Sequence, residues 1–290
     1  MQCGFGSFIL HLDRTDSTNL VASMLARSGA PHGSVVLARE QSAGRGRWSR
    51  SWESRAGGLY LSVVLRPSAD RGSDAALLPL MVAVASGDAL VNALGVEPNL
   101  RWPNDLFVAG RKLGGILCES SFTGARLEFA IAGVGINVNQ SPEDFGPEVA
   151  ARAIALREIL GRPSDPLEVG AELVARLERW CGILWEDRNA AAILERWHEF
   201  AAGAEGSRIR VAPLGEPHRA PPQQHRQHEV VADHRRQRDR LDDRHSGGRR
   251  ESADKHQERQ RLAFLRHRHG EHERVGIDAG DREVHRAAER

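Results

Sequence analysis

Residues Gly44-Arg45-Gly46-Arg47-Trp48-Ser49-Arg50-Ser51-Trp52 place three arginines, two glycines and two tryptophans in one short run. Arginine carries a permanent charge and a planar fork that suits phosphates and carboxylates. Glycine lets a backbone approach a ligand or take positive φ. Tryptophan offers a face to a flat ring. Together they describe a loop that closes over an anionic, aromatic ligand such as a nucleotide. The run is not a phosphate-binding Walker A loop, because no Gly-Lys-Ser/Thr follows it. A solvated surface loop is the plain alternative.

Four further groups could carry chemistry. Thr15-Asp16-Ser17-Thr18-Asn19 gathers hydroxyls, an amide and backbone N–H groups at a strand-to-helix junction, which suits a polar or anionic ligand; helix capping alone would also explain it. Arg101-Trp102-Pro103-Asn104-Asp105 presents an amide and a carboxylate from a turn. Arg111-Lys112-Leu113-Gly114-Gly115 puts Lys112 at the head of a strand whose glycines permit close approach. Gly133-Val134-Gly135-Ile136-Asn137 reads as a strand with room for a ring and an amide to bond it, or else as a bulge.

These groups need elements to hold them. Residues 8–12, 34–39, 58–66, 100–102 and 127–138 read as strands, and 106–109 with 112–120 as a hairpin around Gly110. Helices are predicted over 20–27, opened by Ser17 or Thr18 and stopped by Gly29, and over 75–94, ended by Gly95. Two amphipathic helices follow at 167–185 and 190–201. Helices mixed with hairpin-linked strands argue an α+β fold with an antiparallel or mixed sheet.

The chain has 290 residues and a formal net charge of +1, so no global charge draws it to nucleic acid. Cys3, Cys118 and Cys181 have neither metal-ligand nor disulfide spacing, and no protein-held metal site is predicted. The N-terminus lacks a basic n-region and a long apolar stretch, so neither a signal peptide nor a membrane anchor is expected there, and the expected compartment is the cytoplasm. The C-terminal part differs in kind. Ten of the thirteen histidines lie beyond Pro213, and only ten of the 77 residues from 214 to 290 are Val, Ile, Leu, Met, Phe, Trp, Tyr or Cys. That composition predicts disorder.

In order and spacing, the Asp16–Asn19 group, Gln41, the 44–52 run, Arg101–Asp105, Lys112–Leu117 and Gly133–Asn137 resemble the biotin–protein ligases over roughly residues 8 to 212. The resemblance implies a catalytic module related to class II aminoacyl-tRNA synthetases. It implies an adenylate-forming enzyme in which biotin and Mg·ATP give biotinoyl-5′-AMP and pyrophosphate. A lysine of a biotin carboxyl carrier protein domain then takes the biotinoyl group. On the family pattern, Ser17, Thr18, Asn19 and Gln41 would bind or line the ureido end of biotin. Gly44, Arg45, Gly46 and Arg47 would close over the biotinyl phosphate, and Lys112 would sit on the biotin carboxylate, making Lys112 and Arg47 the catalytic pair. Gly114 and Gly133 would give the ring space. Trp52 would pack beside adenine, with Arg47 and Arg50 toward the phosphates and Asn104 and Asn137 on the nucleotide and metal side.

The chain also departs from the pattern. Ser49 stands where the family usually has glycine, and Arg101 where lysine is commoner. The first strand begins within ten residues of Met1, so a monofunctional type without an N-terminal DNA-binding domain is expected. With residues 1–206 as the catalytic domain, 207–213 reads as the first strand of the family's SH3-like barrel. The abrupt change of composition after Pro213 reads as a GC-rich gene translated out of frame. A homodimer is left open. The rivals are a lipoate or octanoate transferase on the same scaffold, against which the 44–52 run argues, and a biotin-binding protein that has lost catalysis.

Overall fold

A computed structural model of the chain describes residues 4–201. The expected barrel strand at 207–213 and the expected disorder over 214–290 lie outside the described residues. The strands are β1 (Ile9–Thr15), β2 (Val35–Gln41), β3 (Leu59–Leu65), β4 (Asn99–Arg101), β5 (Asp105–Val108), β6 (Arg111–Thr123) and β7 (Arg126–Ile136). The helices are α1 (Thr18–Arg27), α2 (Leu78–Leu94), the short α3 (Pro147–Ala150) and α4 (Leu156–Leu160), α5 (Pro166–Trp185) and α6 (Ala190–Phe200). Sequence reading missed α3 and α4, which are too short to show a period. It also began α2 early: residues 69–77 form 3₁₀ turns, and Pro79 in the first turn starts the α-helix proper.

The seven strands form one mixed sheet in the order β1-β2-β3-β7-β6-β5-β4. β1 and β2 are parallel because α1 carries the chain back between them; every other neighbouring pair is antiparallel. The β2–β3 link could be a tight turn, yet it runs from residue 42 to 58 and contains the Gly/Arg run. Connections of that length are uncommon unless they carry function.

The sheet has two different faces. On one, α2 and α5 pack over Leu61, Val63 and Leu65 of β3 and Ala130, Ala132, Val134 and Ile136 of β7 in the main apolar core. Asp88 of α2 accepts hydrogen bonds from Trp180 Nε1 of α5 (2.8 Å) and Arg196 Nε of α6 (2.9 Å), tying three helices together. The stretch Asp70–Leu94 is long and apolar enough to cross a membrane, but two thirds of its most apolar window is buried in this core, and that burial accounts for its composition. On the other face α1 covers only a smaller cluster of Ala22, Ala26, Val36, Val64, Phe129 and Ile131. The rest of that face is left for a cleft.

Candidate functional site

The cleft face is set by the period of two along each strand. In β3 it presents Ser62 beside Val64, and in β7 it presents Gly133 and Gly135 beside Ile131. β6 pairs Gly115 with Gly135, Leu117 with Gly133 and Glu119 with Ile131, so those three residues share the face. Gly114 pairs with Ile136 and points to the core instead. A slip of one residue exchanges the faces of a strand. It is therefore Gly115, not Gly114, that lines the inner cavity.

That cavity, of about 270 Å³, brings together Ser17, Thr18, Asn19, Gln41, Arg45, Gly46, Arg47, Arg50, Trp52, Asn104, Lys112 and Gly133. A larger outer cleft of about 870 Å³ adjoins it across the 44–52 loop and is lined by Gly44, Trp48, Trp102, Pro103 and Cys118 among others. Asn137 lines neither. It is buried, and its amide donates to Ile154 O (3.1 Å), so it fastens the chain after β7.

Ser17 occupies the N-cap position of α1, but its side chain makes no capping bond. Gln41, at the end of β2, does that work: its Oε1 accepts from Thr18 N (2.8 Å), while its Nε2 donates to Ser54 Oγ (2.7 Å). The Ser17 hydroxyl is thus free, among the described residues, to meet a ligand. Asn19 is fully engaged. Its Nδ2 donates to Leu117 O (3.1 Å) and Glu119 Oε2 (2.8 Å), and its Oδ1 accepts from Ser62 Oγ (2.7 Å). Ser62 also lies 2.8 Å from Thr18 Oγ1 and is fully buried. These bonds satisfy the side chains of Thr18, Asn19, Gln41 and Ser62, and they hold that end of the cavity in one arrangement.

The two strand glycines make room for side chains of this protein. A Cβ on Gly133 would collide with Asn19 Oδ1, and one on Gly135 would lie 2.6 Å from Trp52 Nε1. The Trp52 indole therefore lies on the sheet beside Gly115 and Gly135, with Lys112 Nζ 5.4 Å from its ring centroid. Its N–H has no partner among the described residues. Trp52, expected beside adenine, lies against the sheet in the inner cavity, and the exposed tryptophans among the described residues are Trp48 and Trp102, in the outer cleft.

Charge is concentrated around the inner cavity and in the loop that it shares with the outer cleft. Lys112 Nζ is 2.6 Å from Asp105 Oδ1, across the β5–β6 pair. Arg45 Nη2 is 2.8 Å from Glu119 Oε1. Arg47 stacks on Trp48 (5.6 Å), and among the described residues neither Arg47 nor Arg50 has an acidic partner. The loop is pinned at its base by Trp52 N donating to Gly44 O (2.9 Å) and by the buried Tyr60, whose hydroxyl donates to Arg55 O (2.7 Å). Trp48 and Ser49 both have φ of 57°, a left-handed conformation that costs about 1–2 kcal/mol per non-glycine residue. Ser49 is thus a serine in a backbone conformation that suits glycine. Asn104 Nδ2 donates to Ile116 O (2.8 Å), fixing the turn after the cis Trp102–Pro103 peptide. Burial, and then Glu119, push the Cys118 thiol up to about 12.

Sequence reasoning named Gly115 and Gly135 within their motifs as glycines that leave room for a ligand, but gave neither a role of its own, and it did not single out Ser62 or Glu119 at all. Ser62 had a signal, as the one polar side chain besides Tyr60 in the apolar run LYLSVVL. Glu119 had none, since a glutamate near the exposed end of a strand is ordinary.

Residues 11–137 match the biotin/lipoate A/B protein ligase family. Over 211 residues the chain is 38% identical to the bifunctional ligase/repressor BirA of Bacillus subtilis, covering 72% of this chain and 64% of that protein. The chain therefore spans a little under two thirds of that relative's length. It is 37% identical over 209 residues to the biotin–[acetyl-CoA-carboxylase] ligase of Paracoccus denitrificans, covering 71% of this chain and 82% of the relative. Among solved structures it is similar to the biotin protein ligase of Aquifex aeolicus in complex with biotin and ATP, with a TM-score of 0.54 and 32% identity over 62% of this chain and 72% of that one. With one mixed sheet and 37% identity along 82% of a relative, the chain belongs to the biotin/lipoate A/B protein ligase family, among its biotin protein ligases.

Proposed function

We propose that this protein activates biotin with Mg·ATP to biotinoyl-5′-AMP and passes the biotinoyl group to a lysine of a biotin carboxyl carrier protein domain. The observation that carries the reading is that Lys112 lines a small inner cavity while Arg45, Arg47 and Arg50 of the 44–52 loop line both that cavity and the wider outer cleft. The reaction brings a carboxylate up to an α-phosphate, and both are anions. Fixed positive charge at their meeting point lowers the barrier, and holding both in place removes most of the entropic cost.

Biotin enters the inner cavity with its ring at Ser17, Thr18 and Gln41, against Trp52 and under Gly46. Its carboxylate faces Lys112, which leaves Asp105 or shares it. A carboxylate oxygen attacks the α-phosphorus and pyrophosphate leaves. Arg45 and Arg47 then cover the mixed anhydride and keep water from it. The carrier lysine attacks the acyl carbon as a free amine; the anhydride C–O bond breaks, AMP departs, and the amine proton is lost to solvent. No nucleophile of the protein is needed.

The donor set fits a nucleotide that brings its own metal. Among the described residues no group of three or more His, Cys, Asp or Glu could hold a metal ion. Magnesium arriving on a triphosphate keeps several waters and asks the protein for one or two carboxylates at most. When bound it offsets phosphate charge; Arg47, Arg50 and Asn104 line the side where the nucleotide would lie. We assign this chemistry to a catalytic unit of residues 1–206 and place the protein in the cytoplasm, where biotin and carrier domains meet.

The test is to incubate the full chain with Mg·ATP, biotin and a carrier domain, and to read the carrier by intact mass. A gain of one biotinoyl group that depends on ATP is expected. Lipoylation in place of biotinylation, or biotin binding with no adenylate formed, would contradict the reading.

A further inference from the structure

Glu119 divides its two carboxylate oxygens between different parts of the site. Oε1 accepts from Arg45 Nη2 at 2.8 Å, and Oε2 accepts from Asn19 Nδ2 at 2.8 Å. Asn19 belongs to the buried network at the head of α1, and Arg45 to the exposed loop over the cavity. Behind this wall lies a separate hollow of about 280 Å³ that shares Asn19 and Arg45 with the inner cavity. The three side chains are thus a partition, and Glu119 is the member that joins its fixed half to its movable half.

We propose that Glu119 is a positioning residue for the adenylation described above, acting through Arg45 to hold the 44–52 loop in register with the biotin end of α1. Apart from Glu119, Asn19 is held by Leu117 O and Ser62 Oγ, so one oxygen of Glu119 is held with it. The other oxygen is then a stationary anchor for Arg45, and backbone bonds from Gly46 N to Arg50 O (2.8 Å) pass that anchorage along the loop. The pair is partly exposed, with 51% of the Arg45 side chain and 34% of the Glu119 side chain accessible. A pair of that kind biases an equilibrium by no more than about fivefold. That is enough to tune a loop and too little to support a fold. The inference rests on biotin ligation only for its consequence; the latch itself can be tested without ligand.

The experiment is a double-mutant cycle on the full chain: wild type, Glu119→Gln, Arg45→Met and the double variant. Glutamine keeps an acceptor for Asn19 and removes the charge facing Arg45. The ligand-free readout is chymotrypsin cleavage after the exposed Trp48, with thermal unfolding as the control. Each single variant is expected to be cut about three- to fivefold faster at an unchanged midpoint, and the double variant no faster than either single. The second readout is release of biotinoyl-AMP, which is expected to quicken by a similar factor with the same non-additivity. Additive effects, or cleavage that ignores Glu119→Gln, would overturn the latch. A variant that unfolds at lower temperature in proportion to its cleavage would do the same, since that is what a merely structural role predicts. Wild-type protein that makes no biotinoyl-AMP would overturn the functional reading, and the proteolysis arm would still decide the latch.

Discussion

The head of α1 and the 44–52 loop face the same cavity and are built on opposite principles. At α1, Thr18, Asn19, Gln41 and Ser62 form a closed network, and all but Gln41 are buried. In the loop, Arg47 and Arg50 have no acidic partner among the described residues, Trp48 is 82% exposed, and two consecutive non-glycine residues hold positive φ. The difference separates two tasks. A neutral ring is recognised by a fixed set of polar groups, whose cost is met on folding. A transient anion needs charge that stays hydrated until the ligand arrives, because an unpaired buried charge would be too costly.

Several substitutions can break or sharpen this contrast. The largest effect is expected at Lys112, the charge between the two regions. Lys112→Ala should slow biotinoyl-AMP formation by about 10²–10³-fold, roughly 2.7–4 kcal/mol as for other donors at an oxyanion. Its unfolding midpoint should barely move, because the side chain is one-third exposed. Near-normal pyrophosphate exchange would remove Lys112 from the mechanism.

Next come changes to the fixed region. Ser62→Ala leaves Asn19 Oδ1 without its donor in a buried site, and such losses cost about 1–3 kcal/mol. Gly133→Ala should cost a similar amount by forcing Asn19 aside. Both should weaken biotin binding and lower the melting temperature together. Calorimetry that found either change confined to binding would show that the network is less closed than its geometry.

Acid should act on the body of the protein before the loop. His32 Nδ1 accepts from Arg66 N (2.9 Å), and burial lowers its pKa to about 4, with Glu178 partly opposing and Arg66 adding to the shift. The folded state therefore binds fewer protons than the unfolded chain between about pH 4 and 6.5. Stability from His32 is complete above 6.5 and is lost as pH falls toward 4. The shift corresponds to roughly 3 kcal/mol, or about 2 kcal/mol after discounting for partial exposure. Urea midpoints from pH 7.5 to 4 should fall in the wild type and fall less in a His32→Gln variant; parallel curves would refute the assignment.

The smallest effect on stability is expected in the loop. Arg45→Ala and Arg47→Ala should change unfolding free energy by less than about 0.5 kcal/mol, while biotinoyl-AMP escapes faster from both. A substantial loss of stability would place these arginines in the fold and erase the contrast.

The sequence made the elements and the loop legible for different reasons. Apolar periods and terminal glycines marked α1, α2, α5, α6 and most strands. The loop stood out because its composition suits no core. Contacts between distant residues were not legible. Gln41 caps a helix that starts 23 residues earlier, and Glu119 reaches Asn19 across 100 residues. The Gly114-Gly115 pair has no side chains to mark which residue faces the cavity; the register with β7 puts Gly115 there and Gly114 toward the core. Asn137 looked like a ligand group because an amide after two glycines is equally good at holding a ligand or a loop. The structure uses it for the second.

The most direct test of the division is hydrogen exchange on the full chain, free, with biotin, and with biotin and Mg·ATP. The account predicts that residues 59–65 and 129–136 are already slow without ligand and change little. It predicts that amides of residues 44–52 slow on adding biotin and slow further with nucleotide. Protection that appears first in the β3 and β7 segments, or a loop indifferent to both ligands, would contradict a preformed pocket closed by a charged loop.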